Sequence, residues 1–369
     1  MNHATSPNGV DDFMSNHTIM ILTKDRRVEI LRACQYYSHF GLKIVILDGS
    51  NESLKNEMPN SHFIKYIHLG GGSIYERLMH GSAIIDSEFT TWITDDDLFV
   101  PCAMRYNVEY LQENSNSKCC GGEVRKFKLL KNGVATYPWA HWSRFSNPTP
   151  VDKANDRAER ACKIVSRVET ASFFYLTYKT EQLIKLIHLI HYIEKKSELF
   201  SKLEHGTIEL FVTVFNVIDG NAALLKRPFC FRAENEGVDT AEYRAKIISG
   251  NDPKEKWNDS MQNQQIETIT FYLGRIMIAN GVSEYMAKMY SHIIVRCYRA
   301  QVRLGERFSP ILECLNPYMF NPEYMKPTFM SEVWSEEVNN FDSEHERIRS
   351  AMKEAERMYM NIYTEHVYY

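Results

Sequence analysis

The first hundred residues alternate short apolar runs with helical patterns. Residues 18–23 are almost wholly apolar, as expected for a strand that is buried on both faces of a parallel sheet. In the segment after this run, apolar side chains recur at near-helical spacing, and Gly41 offers a C-terminal stop. Those side chains are Val28, Leu31, Cys34 and Tyr37. The pattern therefore predicts one unit of strand followed by helix.

The same pattern recurs before residue 100 and predicts three more strands. They lie at residues 43–47, 62–67 and 89–94. Ser73 and Glu76 have the spacing of a capping box, in which each residue satisfies a backbone amide of the other, and a helix follows to about residue 85. Four strands alternating with helices predict an α/β fold with a mainly parallel, doubly wound sheet.

Polar and flexible residues follow each of these four strands. They are residues 23–26, 48–50, 70–72 and 95–97. Ligands of open α/β sheets bind outside the carboxyl ends of the strands, so these residues are expected to meet at one ligand-binding edge.

The triplet Asp95-Asp96-Asp97 is the densest group of negative charge at that edge. If the strand continues, Asp95 and Asp97 share one face and Asp96 takes the other. Two converging carboxylates suit Mg²⁺ or Mn²⁺, which keep coordination positions open for water and phosphate oxygens. A nucleoside diphosphate is the guest that this chemistry favours. A solvated acidic turn or a helix N-cap is the structural alternative.

Beyond residue 101 the pattern is less regular. It predicts a strand at 118–124, helices at about 180–203 and 207–218, and a strand at 228–234. Three parts result: a flexible leader at 1–16, a main domain at 17–250, and a helical C-terminal appendage at 251–369 for acceptor binding or oligomerisation. A homodimer is a hypothesis that rests on the Met- and Tyr-rich C-terminal helices alone.

The amino-acid composition argues against several classes of function. A formal net charge of −4 over 369 residues argues against general nucleic-acid binding. The eight cysteines include no C-x-x-C pair, which favours reduced thiols over a zinc site. No apolar run approaches the roughly 20 residues of a membrane-spanning helix. A cytoplasmic protein is expected, with room for peripheral attachment at the inner membrane face.

Three segments resemble the motifs of bacterial family 2-like glycosyltransferases of the GT-A fold. They are residues 18–26, Asp48-Gly49-Ser50, and Thr94-Asp95-Asp96-Asp97, which matches the D-x-D motif of those enzymes. The resemblance covers about residues 16–235, and its order and spacing are more specific than any single motif. It implies a Rossmann-like sheet that binds a nucleoside diphosphate sugar.

The resemblance also implies an activity and a set of site residues. The activity is metal-dependent transfer of a sugar, often from a UDP-sugar, to a hydroxyl of a saccharide or lipid-linked glycan, as in surface polysaccharide biosynthesis. The nucleotide-sugar-binding residues would be Thr23, Asp25, Arg26, Asp48, Gly49, Asp95 and Asp96. Mn²⁺ or Mg²⁺ would be held by Asp97, Asp95 and His205.

An inverting member needs a general base near the acceptor hydroxyl. Glu209, at a helix start among apolar residues, fits that position best, and Glu204 and Asp156 compete with it. The chain lacks a clear Glu-Asp or Gln-x-x-Arg-Trp signature, so the base and the stereochemical outcome stay open.

Three other enzyme classes use a similar sheet or a similar aspartate motif, and each needs residues that this sequence lacks. The opening loop Thr23-Lys24-Asp25-Arg26-Arg27 contains no glycine, unlike that of a nucleotidyltransferase. Phe99 stands where a dehalogenase-like phosphatase needs Thr or Val, and it also breaks the D-D-x-x-D spacing of prenyl synthases. The alternative from another class is a non-catalytic scaffold that binds nucleotide sugars or carbohydrate.

Overall fold

A computed structural model describes most of the first 130 residues and several segments beyond them. The described residues are 15–38, 40–130, 133–138, 157–158, 161, 173–196, 205–218, 222–233, 259–296, 298 and 328–329. Residues 1–14 of the predicted leader and the predicted base candidates Asp156 and Glu204 lie outside these ranges.

Ten strands form one sheet within the described ranges. They are β1 (His17–Thr23), β2 (Lys43–Asp48), β3 (Ile64–His68), β4 (Phe89–Thr94), β5 (Leu98–Phe99), β6 (Cys119–Leu130), β7 (Gly133–Pro138), β8 (Thr177–Lys179), β9 (Ala222–Ala233) and β10 (Thr328–Phe329). The helices are α1 (Arg27–Ser38), α2 (Ile74–Ser82), α3 (Pro101–Glu113), α4 (Thr180–Lys196), α5 (His205–Ile218), α6 (Asp259–Ala279) and α7 (residues 284–296).

The first four long strands run parallel in the order β3-β2-β1-β4. Every residue of β1 is buried, as expected for a central strand of a parallel sheet that is covered on both faces. The predicted α/β class is therefore confirmed for the part of the chain that carries the four strand ends.

The other half of the sheet is mixed. β8 runs antiparallel between β4 and β6, and β6 pairs in parallel with β9. β6 and β7 form an antiparallel pair, with residues 131 and 132 between them. Such a short connection can join only antiparallel strands, because a parallel pair needs a crossover of a dozen or more residues.

The helix α2 lies against β1 and β2, and this close packing explains the glycine near its end. Ser73 Oγ accepts from the Glu76 amide while the Glu76 carboxylate accepts from the Ser73 amide, so the predicted capping box is confirmed. The helix ends at Ser82 rather than near residue 85. A Cβ at Gly81 would lie 2.6 Å from Leu47 Cδ1, so only glycine permits this close approach to the sheet.

The C-terminal region contributes to the main body at two places. α6 packs against α5, and β10 adds to the sheet beside β7. Gly281, with φ 82°, ends α6 and starts the turn into α7. Among the described helices, none combines the length and the apolar character that a membrane crossing requires.

A buried polar network ties the start of β1 to the middle of the sheet. His17 Nε2 and Thr91 Oγ1 are 2.8 Å apart, and Thr91 Oγ1 lies 2.8 Å from Thr177 Oγ1. The Asn107 amide donates to Thr177 Oγ1 and to the Cys120 carbonyl. Because His17 is fully buried, its pKa falls to about 3, and the imidazole is neutral in the folded protein at neutral pH.

This buried imidazole predicts acid sensitivity. The unfolded chain protonates His17 near pH 6.5 and the folded chain only near 3, so stability falls as pH drops through that window. One such proton changes the free energy of unfolding by up to about 1.4 kcal/mol per pH unit. We expect His17→Gln to lose less stability between pH 6.5 and pH 4.5 than the wild type in urea unfolding. His188→Gln, at an exposed histidine of α4, is the control for loss of an imidazole. Equal pH slopes for wild type and His17→Gln would contradict the assignment.

Candidate functional site

The carboxyl ends of β1, β2 and β4 meet at one edge of the sheet. In the register of these strands, Thr23 is opposite Asp48 and Leu22 is opposite Thr94. Neighbouring strands lie about 4.8 Å apart, so residues that follow these positions come within side-chain reach of one another. The predicted ligand-binding edge is thus assembled by parallel pairing alone.

Residues 95–97, here called the acidic turn, lie in a bend after β4 rather than in a continued strand. Arg26 Nη1 contacts the Asp96 carboxylate at 2.5 Å and the Asp95 carboxylate at 3.4 Å. The prediction that Asp96 points away from Asp95 is not what the structure shows. Strand alternation ends at Thr94, and both side chains meet the same guanidinium.

Asp95 is a buried carboxylate of the acidic turn. It is 3% exposed, and Thr23 Oγ1 donates to its Oδ2 at 2.6 Å. Burial raises the pKa of Asp95 to about 7; the Asp96 charge also raises it, whereas the Thr23 hydroxyl and Arg26 lower it. This carboxylate therefore titrates near neutrality in the protein without ligands.

The two neighbouring carboxylates have different surroundings. Burial by itself would raise the pKa of Asp96, but the charge and hydrogen bond of Arg26 outweigh it, so the pKa lies below its usual value. Asp97 is buried, and Thr94 Oγ1 donates to its Oδ2 at 2.9 Å. The acidic turn thus concentrates three aspartates within a space that Arg26 only partly neutralises.

Arg32, which sequence reasoning missed, holds the backbone of the acidic turn. From α1 its Nη2 donates to the Asp96 carbonyl at 3.1 Å and more weakly to the Asp95 carbonyl at 3.4 Å. Arg32 is buried, so these bonds form away from competing water. In the sequence it looks like an ordinary polar position of an amphipathic helix, and only the packing of α1 beneath the turn reveals its role.

Asp48 lies inside the protein rather than at the surface of the edge. It is 0% exposed, and its Oδ1 accepts from the Ser50 amide at 2.8 Å and the Ser50 hydroxyl at 2.5 Å. Its Oδ2 accepts from the Tyr66 hydroxyl at 2.5 Å. Both carboxylate oxygens of Asp48 thus accept internal hydrogen bonds, and its role as a nucleotide-binding residue stays a prediction.

Asp25 and Arg26 form the turn between β1 and α1. Asp25 has φ 56°, the sole positive value at a non-glycine position of the described chain, and its side chain is exposed. Its amide donates to Ser50 Oγ at 2.7 Å. Arg26 is about one third exposed, so its guanidinium can meet both the acidic turn and a ligand.

Arg77 of α2, a second arginine that the sequence did not single out, fills the space beneath Gly49. Its Nη1 donates to the Thr23 carbonyl at 2.6 Å, and the Gly49 amide donates to the same oxygen at 3.0 Å. Burial lowers the pKa of Arg77, and the charges of Asp48, Asp95 and Asp25 oppose that shift. Gly49 is required here because a Cβ would lie 2.8 Å from Arg77 Nε.

The predicted base and the third metal ligand lie on α5. Glu209 is half-buried near the start of this helix, which packs against α4 and α6. His205 is the first residue of α5, and its side chain is outside the described part of the site. The structure therefore brings Thr23, Arg26, Asp95 and Asp96 together, and it places Glu209 on α5.

The donor atoms of the acidic turn match a hard divalent cation in kind. Carboxylate oxygens are the ligands that Mg²⁺ and Mn²⁺ prefer, and a dication would oppose the burial and the Asp96 charge that raise the pKa of Asp95. Within the described residues there is no group of three or more His, Cys, Asp or Glu side chains arranged to hold a metal. The acidic turn could thus supply part of a coordination shell, with substrate and water supplying the rest.

Comparison with known proteins gives similarity at the level of solved structures alone. No protein-family model matches the chain, and no curated protein matches it. Residues 1–349 of Staphylococcus aureus TarS are 12% identical, with 79% of this chain and 92% of that chain covered and a TM-score of 0.40. The same fragment in complex with UDP-GlcNAc gives a TM-score of 0.41 at the same identity and coverage. A longer TarS structure is 9% identical with a TM-score of 0.39 and covers 77% of this chain and 54% of that chain.

The packing of Arg77 against Gly49 predicts the effect of one added methyl group. In Gly49→Ala the Cβ would displace the buried guanidinium from the Thr23 carbonyl, which costs about 1–3 kcal/mol of unfolding free energy. Gly274→Ala is the matched control, because a Cβ there meets its nearest atom at 3.6 Å within α6. That change is expected to stabilise the protein by about 0.5–1 kcal/mol. Wild-type stability in Gly49→Ala, measured by urea unfolding, would contradict this packing.

Proposed function

We propose that the protein is a glycosyltransferase that moves a sugar from a nucleoside diphosphate sugar to a hydroxyl group of a saccharide or lipid-linked glycan. The observation that carries this proposal is the meeting of Thr23, Arg26 and the acidic turn at the carboxyl ends of parallel strands. This edge is where open α/β sheets bind nucleotides. A UDP-sugar is the favoured donor, and surface polysaccharide biosynthesis is the favoured setting.

Arg26 supplies the charge that a diphosphate needs. Its guanidinium is partly exposed and lies beside Asp95 and Asp96, so it can turn toward phosphate oxygens and bind them in a bidentate manner. The Asp95 carboxylate and the Thr23 hydroxyl lie 2.6 Å apart and offer hydrogen bonds to the sugar hydroxyls of a nucleotide. The exposed Asp25 carboxylate borders the same space.

A divalent cation completes the proposed site. Asp97 and Asp95 would hold Mn²⁺ or Mg²⁺, with His205 as the candidate third ligand. When bound, such an ion stabilises the negative charge that develops on the departing nucleoside diphosphate.

Glu209 is the proposed general base, with Glu204 as the second candidate. A half-buried carboxylate on a helix of mostly apolar residues is suited to accept the proton of an acceptor hydroxyl. The C-terminal helices are proposed to bind the acceptor or a second copy of the chain. A cytoplasmic location, with peripheral attachment at the inner membrane face, suits a lipid-linked acceptor.

The second candidate function is a scaffold that binds nucleotide sugars or carbohydrate without catalysis. The observation that favours it is the pairing of Arg26 with Asp95 and Asp96, because an internal counter-ion permits binding without a metal. Turnover of a donor separates the two functions.

Donor hydrolysis tests the metal-dependent reaction. We expect the protein, incubated with a panel of nucleotide sugars and Mn²⁺, to release nucleoside diphosphate slowly from one donor. Asp97→Asn and addition of a chelator should each lower that rate by about 100-fold or more, because the charge on the leaving group loses its stabilisation. Asp86→Asn, at an exposed surface position, is the matched control and should keep the rate. Full activity of Asp97→Asn with chelator present would remove the metal mechanism, and binding without turnover of any donor would favour the scaffold.

Glu209→Gln tests the proposed base separately from binding. The amide keeps the size of the side chain but cannot accept the proton, so transfer to the acceptor should fall by about 10²–10⁴-fold. The affinity for UDP, measured by calorimetry, should stay at the wild-type value. Glu181→Gln, at an exposed position of α4, controls for the loss of one carboxylate. Unchanged transfer in Glu209→Gln would reassign the base.

A further inference from the structure

The turn between β1 and α1 holds one residue in an unfavourable backbone conformation. Asp25 has φ 56°, in the left-handed region, which costs a non-glycine residue on the order of 1–2 kcal/mol. Its side chain is exposed, and its amide donates to Ser50 Oγ at 2.7 Å. The Ser50 hydroxyl is therefore in a position to hold this conformation.

The Ser50 hydroxyl is itself held by Asp48. The Asp48 Oδ1 accepts from both the hydroxyl and the amide of Ser50, so the hydroxyl proton is committed to Asp48. With its proton directed there, the oxygen presents a lone pair to the Asp25 amide. The Ser50 carbonyl lies 2.8 Å from His68 Nε2, which fixes the loop from the other side.

The Asp48 carboxylate is in turn oriented by Tyr66 of β3. The Tyr66 hydroxyl donates to Asp48 Oδ2 at 2.5 Å and accepts from the Leu54 amide at 2.8 Å. Burial and the bond to Asp48 raise the pKa of Tyr66, so its hydroxyl stays protonated and remains a donor. A continuous chain of hydrogen bonds thus runs from β3 through Asp48 and Ser50 to Asp25.

The last residue of this series of hydrogen bonds, Asp25, lies next to the proposed ligand site. Arg26 follows Asp25 directly, and its carbonyl accepts from the Ile30 amide at the start of α1. The conformation of Asp25 therefore sets the point from which the Arg26 side chain leaves the turn toward Asp95 and Asp96.

We propose that Tyr66 and Ser50 are positioning residues of this site, and that Asp48, which Tyr66 orients, acts through Ser50 on Arg26 rather than as a nucleotide ligand. The inference rests on the proposed function, because it concerns how the same site binds a nucleoside diphosphate. It assigns the selectivity of the edge to the geometry of the turn at Asp25 and Arg26.

The experiment compares Tyr66→Phe, Ser50→Ala and the double variant. Tyr178→Phe is the matched control: it removes another buried hydroxyl bond, to Asn216, near the opposite end of β4. The first measurement is amide hydrogen exchange at Asp25. The second is the dissociation constant for UDP, by calorimetry with and without Mn²⁺.

Local exchange is the readout that global destabilisation does not reproduce. We expect Tyr66→Phe and Ser50→Ala each to lower protection of the Asp25 amide by about tenfold, the effect of losing one buried hydrogen bond, while Tyr178→Phe leaves it at the wild-type value. Unchanged protection at Asp25 in both variants would overturn the proposal. Ser50→Ala decides the question by itself if Tyr66→Phe does not fold.

The affinity for UDP tests whether the hydrogen bonds from Tyr66 through Asp48 and Ser50 to Asp25 act as one unit. We expect each single variant to weaken UDP binding by about tenfold and the double variant to bind no more weakly than the weaker single variant. Effects that multiply in the double variant, or wild-type affinity in both single variants, would overturn the proposal. If the wild type binds no nucleoside diphosphate, the proposed function fails, while the exchange measurement still decides whether Tyr66 and Ser50 hold the turn.

Discussion

A buried carboxylate beside a second carboxylate is the constraint on which the candidate site depends. Removing an ionised group from water is costly unless nearby charges and hydrogen bonds replace the solvent. Asp95 is almost fully buried, and its surroundings leave its pKa near 7 despite Thr23 and Arg26. Additional positive charge beside such a carboxylate would stabilise its ionised form, and the cation of the proposed reaction would supply that charge.

The backbone around this carboxylate is held by two buried arginines. Arg32 bonds the carbonyls of the acidic turn, and Arg77 bonds the carbonyl at the end of β1. Both guanidinium groups are buried, so their hydrogen bonds to these backbone carbonyls form away from competing water. Arg26 is about one third exposed and is the arginine that contacts the Asp95 and Asp96 carboxylates.

Local patterns predicted the parallel half of the fold because its signals are local. The apolar run of β1, the capping box at Ser73 and the stop at Gly41 each depend on a few adjacent residues, and the structure confirms them. The place of β8 between β4 and β6 could not be predicted, since three residues carry too little pattern to reveal an antiparallel insertion. Tyr66 and Arg77 were missed for a related reason: their contacts join residues that are 18 and 54 positions apart. The metal ligands and the base stay predictions.

A structure of the protein bound to Mn²⁺ and UDP tests the central claim most directly. The account predicts an anomalous manganese peak at bonding distance from the Asp95 and Asp97 carboxylates, with the diphosphate between that ion and Arg26. A diphosphate bound elsewhere on the chain, or both carboxylates turned away from an empty cleft under saturating ligand, would contradict it.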